Sequence, residues 1–195
     1  MSDREKWASP APTLNTLFSF LCLLFFVLFF KLVDQSALLY LGLIQLGLFP
    51  AYFIGALIML KNGEMISGNI YLIFSTFFTI VPGLTTVGSY IGGIRGWSLD
   101  IGILGYQWLF IGLALAFCIP AFAKASKTFF ILICCAAISL IVIGLGYLGI
   151  ISISMYTFIA GSLLFIVAVL VLYMVIAEIL GGANINLPLG KPFFK

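Results

Sequence analysis

Residues 128–177 read TFFILICCAAISLIVIGLGYLGIISISMYTFIAGSLLFIVAVLVLYMVIA, a run of 50 residues without a charged side chain. A single straight helix of that length would measure roughly 75 Å at 1.5 Å per residue, more than twice the hydrocarbon thickness of a bilayer. The run therefore holds two membrane spans and turns between them. Its weakest helical point is Gly144, Gly146 and Gly149 followed by Ser152-Ile153-Ser154, where glycine and hydroxyl side chains favour a break.

The same pattern extends towards the N-terminus. A charge in hydrocarbon is costly, so charged residues mark the loops. Between them lie uncharged stretches Trp7–Phe30 (24 residues), Gln35–Leu60 (26), Met65–Ile94 (30) and Ile101–Ala123 (23). The expectation is an all-α integral membrane protein, one domain over residues 1–195, with six transmembrane helices near 14–30, 38–60, 66–87, 101–123, 129–148 and 154–180. Composition agrees: 64% of the 195 residues are hydrophobic and 8% charged, against roughly 25% charged in a soluble domain. A net charge of +3 without a basic cluster argues against nucleic-acid binding.

With six spans both termini share a side. That side carries Arg4, Lys6, Lys61, Lys124, Lys127, Lys191 and Lys195, whereas the other carries Lys31 and Arg95. Lys and Arg collect on the cytoplasmic side, so the expected placement is a plasma (cytoplasmic) membrane protein with both termini cytoplasmic. The first apolar run is long for a signal peptide and no small-x-small cleavage site follows Phe30, so it reads as a retained helix.

The chain lacks histidine, and the spans lack paired carboxylates and any Ser/Lys dyad, so an enzyme is not expected, nor a catalytic residue, metal or cofactor. Cys22, Cys118, Cys134 and Cys135 have neither zinc nor disulfide spacing and read as small packing residues. Pro50, Pro82 and Pro120 fall inside spans, where each removes a backbone donor and frees a carbonyl upstream. The glycine sets 42/47, 88/92/96 and 144/146/149 allow close helix approach and are expected to support homo-oligomers. Hydroxyls can bond their own helix, but the amides of Asn15, Gln45 and Asn69 need other partners. Glu178, at the end of the sixth span, is expected to be partly buried, to exchange a proton or to steer anions at the mouth of a pore.

Several motifs together add a family likeness. Ser9-Pro-Ala-Pro12 resembles the Asn-Pro-Ala-Pro-Leu-Gly-Leu signature of the acetate uptake transporters (the YaaH-type, or succinate–acetate permease, family). Lys61-Asn-Gly63 and Phe74-Ser-Thr-Phe77-Phe78 are similar to that family's Lys-Gly-Asn turn and Tyr-Gly-x-Phe-Trp segment. Gln107-Trp-Leu-Phe-Ile-Gly112 is broadly similar to its fourth helix. Tyr173-Met-Val-Ile-Ala-Glu178-Ile-Leu and Leu187-Pro-Leu-Gly190 are similar to its C-terminal Tyr-x-x-x-x-Glu-x-Leu and Leu-Pro-x-Gly patterns. The departures are Ser9 for the signature Asn, Thr13-Leu14-Asn15 for Leu-Gly-Leu, Met59 for a Glu, and Phe74 for the pore Tyr.

The resemblance implies a six-helix protomer with its own pore, assembled as a ring, commonly a hexamer. It implies passage of acetate or a related small carboxylate, by a channel or with H+ in symport. It places a hydrophobic constriction at Phe18, Phe74 and Cys134, with Ala136 an equal alternative to Cys134, and substrate contacts at Asn15, Thr13 and Tyr173. Two other readings stay open: a pore for a small neutral solute such as ammonia or an amide, and a structural membrane subunit that transports nothing.

Overall fold

The computed structural model of the chain describes residues 7–123 and 126–192. Arg4, Lys6, Lys124 and Lys195, four of the charges used to orient the chain, lie outside these residues. The helices are α1 (Ala11–Phe29), α2 (Ala37–Lys61), α3 (Met65–Phe74), α4 (Val81–Arg95), α5 (Gly102–Phe122), α6 (Lys127–Tyr147) and α7 (Ile153–Gly182). A π-helical turn, Ser75–Ile80, joins α3 to α4, so that Met65–Arg95 forms one apolar span. Among the described residues six helices are thus long and apolar enough to cross a membrane. The third span continues to Arg95, beyond the Val87 expected from sequence, and ends where Gly96 turns left-handed at φ +68°.

The 50-residue apolar run turns where glycine and serine permit it. Gly149 adopts φ +71°, and the Ile150 amide bonds back to Leu145 O at 3.0 Å, closing α6. A residue with a Cβ would be strained in that left-handed conformation. Ser152 then caps α7, its hydroxyl accepting from the Met155 amide at 3.3 Å.

The chain forms two compact units. The first contains residues 7–17 and 36–97, the second 18–35 and 98–192. In the first unit α2 and α4 cross at Gly42 and Gly83. A Cβ at Gly42 would sit 2.9 Å from Gly83 O, and one at Gly83 would sit 3.0 Å from Gly42 O. The start of α1 packs on α2: Leu14 fills the notch at Gly55, and the Tyr52 hydroxyl donates to Leu14 O at 3.1 Å. Trp7 is clasped by the α2–α3 turn. Its amide donates to Asn62 Oδ1 at 3.0 Å, Asn62 Nδ2 donates to Trp7 O at 2.9 Å, and Lys61 Nζ lies 3.6 Å above the indole. The segment before α1 and the α2–α3 turn therefore lie at one end of this unit, as the alternation of spans requires.

In the second unit α5 and α6 cross at Gly105, Gly112 and Gly144, where added Cβ atoms would fall 2.6–2.9 Å from Leu148, Ile141 and Leu109. On α1, Ser19 donates to Ala168 O of α7 at 2.7 Å, and Phe26 lies against Phe165 with centroids 4.8 Å apart. The tail after α7 folds back. The Thr128 amide and hydroxyl donate to Leu189 O at 3.2 and 2.9 Å, so the tail and the start of α6 share one end.

The glycine sets expected to join protomers thus divide. Gly42, Gly144 and Gly146 already serve contacts inside a unit, while Gly47, Gly88, Gly96 and Gly149 face open space. Lipid tails are as apolar as leucine, so helices in a bilayer associate through close packing rather than by leaving water. Gly144→Val should therefore destabilise the protein by on the order of 2–3 kcal/mol, the cost of overpacking a tight contact. Gly47→Val, with nothing near its Cβ, should cost less than about 1 kcal/mol, the β-branched helix penalty being offset by the loss of glycine's flexibility. Thermal unfolding in mild detergent checks both, and equal effects would contradict the assigned crossing.

Candidate functional site

The strongest polar arrangement inside a span lies in the first unit. Pro12 sits in the first turn of α1, where its missing N–H leaves no helical bond unmade. One turn later Asn15 is half-buried, and its Oδ1 accepts a hydrogen bond from the Tyr71 hydroxyl of α3. In this bond the oxygen end of the amide faces the phenol. The Nδ2 end is consequently turned away from Tyr71 as a neutral pair of donors.

Aromatic rings surround this pair. Tyr52 and Tyr71 have centroids 6.1 Å apart, Phe74 meets Tyr71 edge-on at 6.3 Å, and Phe78 lies 4.6 Å from Phe74. The Asn15 amide thus places uncharged N–H donors beside the Tyr71 ring, with no fixed positive charge. An uncharged donor lowers the cost of leaving water without making release equally costly.

A second polar feature joins α2 to the third span. Gln45 of α2 is fully buried, and its Nε2 donates to Phe78 O at 3.1 Å. Ser75 and Thr79, also buried, donate to Leu72 O and Ser75 O of their own helix. Asn69, singled out in the sequence with Gln45, is exposed and bonds its own helix at Met65 O, 2.7 Å away.

The other expected site residues are distributed as follows. Phe18 and Phe74 are both buried, Phe18 in the second unit and Phe74 in the first. On α6 Cys134 is half-buried and Ala136 buried. Thr13 is exposed at the start of α1. The Tyr173 hydroxyl donates to Pro188 O at 2.8 Å, which ties the tail to α7. Glu178, expected to be partly buried, is exposed.

Tyr71 and Tyr52 were missed in the sequence. A signal was present for Tyr71: it precedes Phe74 by three residues, hence shares its helix face, and a phenol in a span needs a polar partner. Nothing in the sequence pairs it with Asn15, 56 positions away. Among the described residues no group of three His, Cys, Asp or Glu could hold a metal ion.

No family model and no curated protein matches the chain. Among solved structures, that of the bacterial acetate channel SatP is similar, with a TM-score of 0.78 at 17% sequence identity, covering 95% of this chain and 100% of that one. The chain is therefore an all-helical integral membrane protein whose fold is similar to that of a bacterial acetate channel.

Proposed function

We propose that the chain forms a transmembrane path for acetate or a related small carboxylate, and that it is not an enzyme. The observation that carries this reading is the likeness of fold along 95% of the chain to an acetate channel. The oriented Asn15 amide within an aromatic lining supports it. Purified protein in liposomes should carry labelled acetate well above protein-free vesicles, and an inward acid gradient should raise the rate if H+ travels with the anion. A rate equal to that of empty vesicles would remove the reading. Ammonia flux without acetate flux would favour the neutral-solute pore, and no flux of either would favour a structural subunit.

In this reading Asn15 and Thr13 meet the carboxylate near the start of α1. Phe18, Phe74 and either Cys134 or Ala136 form the narrow point, as the family resemblance places them. The path lies within each protomer, protomers form a ring, and both termini face the cytoplasm of a plasma membrane. Native mass spectrometry showing only monomer in mild detergent would count against the ring. In the same reading Glu178, at the end of the last span, exchanges a proton or steers anions at the mouth of the path.

Two groups of variants separate binding from constriction. Tyr71→Phe removes the proton that orients Asn15. It should weaken acetate uptake about three- to tenfold, in line with roughly 0.5–1.5 kcal/mol for one hydrogen bond, and Asn15→Leu should weaken it more. Phe74→Ala or Phe18→Ala should instead admit longer acids while keeping acetate flux. If Tyr71→Phe leaves the concentration dependence of uptake unchanged, Asn15 is not the carboxylate contact.

A further inference from the structure

We infer that Asn62, in the α2–α3 turn, is a positioning residue: by bonding the backbone of Trp7 at two points it holds the start of α1, which carries Thr13 and Asn15. Its effect on passage rests on the proposed function, in which these two side chains meet the carboxylate. The Trp7 amide donates to Asn62 Oδ1 at 3.0 Å, and Asn62 Nδ2 donates to Trp7 O at 2.9 Å. Opposite residues of two antiparallel strands exchange the same pair of bonds. Here a side-chain amide takes the place of one strand.

An amide is the side chain that this arrangement requires, because it offers a donor and an acceptor side by side in one plane. A carboxylate would set an oxygen against Trp7 O, and an ammonium would leave the Trp7 amide without an acceptor. The Asn62 backbone is itself fixed. Its amide donates to Ile58 O at 2.9 Å, which keeps it on the end of α2, and Gly63 then turns left-handed at φ +85°. The indole contributes less to the hold. Trp7 is 52% exposed, and Lys61 Nζ lies 3.6 Å from its ring centroid; an exposed contact of this kind is worth roughly 0.5–1 kcal/mol.

The start of α1 needs such a support. The first amides of a helix have no carbonyl within it, so its first turn frays most readily. In α1 that turn begins at Ala11, whose amide makes a long bond of 3.4 Å to Ser9 Oγ, and continues with Pro12, which has no amide. Contacts with α2 and α3 begin only after this turn: Leu14 fills the notch at Gly55, Leu14 O accepts from Tyr52, and Asn15 Oδ1 accepts from Tyr71. The Asn62 bonds lie on the other side of it. Residues 7–15 are thus pinned at both ends, with Thr13 between. Without Asn62 the first turn is free to unwind as far as Leu14, which displaces Thr13 and leaves Asn15 at the new end of the helix.

Amide hydrogen exchange and acetate uptake, measured on the same variants of the full chain, test this. Asn62→Ala removes both bonds and should speed exchange of the amides of residues 7–14 about tenfold, in line with two exposed hydrogen bonds. In liposomes it should raise the acetate concentration for half-maximal uptake about threefold and leave the maximal rate within about twofold, as expected for a weakened substrate contact. Asn62→Asp, of the same shape, keeps only the acceptor and should act in the same direction; it decides alone if the alanine variant gives no folded protein. Trp7→Leu discards the ring but keeps both backbone bonds, so exchange and half-saturation should stay within about twofold of the parent. Unaltered exchange in the Asn62 variants, faster exchange with unaltered half-saturation, or an effect of Trp7→Leu as large as theirs would each overturn the inference. If the parent carries no acetate, the transport reading fails, while the exchange rates still decide whether Asn62 holds the start of α1.

Discussion

A backbone carbonyl in hydrocarbon has to be bonded within the protein, and much of this structure is arranged around that constraint. Over most of the chain the α-helical ladder meets it. Beside the π turn, the amide of Gln45 on α2 bonds the Phe78 carbonyl. Where a helix has to stop, Gly149 bends left-handed and Ser152 receives the next exposed amide.

The same constraint limits how the helices pack. Because lipid provides no drive to bury leucine, contact density decides the fit. The reciprocal glycine pairs 42/83 and 105/144 bring backbones together closely enough that a Cβ at any of these four positions would fall within 3.0 Å of the partner helix. Large aromatic side chains then fill the spaces that glycine leaves, as Tyr156 does over Gly146 and Phe30 over Gly161. Small and large residues are paired across helices rather than along them, so the packing is not apparent from any single span.

Polar side chains within spans serve different purposes although the sequence lists them alike. Thr16, Thr85 and Asn69 bond carbonyls of their own helix and need nothing from elsewhere. Ser19 ties α1 to α7, and Gln45 ties α2 to the π turn. Asn15 differs because Tyr71 takes up its oxygen and leaves its nitrogen turned away.

By itself the sequence determined the number of spans, the turn near Gly149 and the all-helical class, since these depend on local properties: charge-free length, glycine freedom and serine capping. It also indicated an alternation of ends, which the Trp7–Asn62 clasp and the Thr128–Leu189 bonds each reproduce within a unit. Only the tertiary structure decided what the polar side chains meet. Tyr173 and Glu178 match a motif as strings of letters, but the bond of the phenol to Pro188 O depends on how the tail folds back. The pairing of Asn15 with Tyr71, and of Gln45 with Phe78, joins residues 56 and 33 positions apart. Such pairings depend on the rotation and crossing of helices, which follow from glycine contacts between spans and have no local signature along the chain.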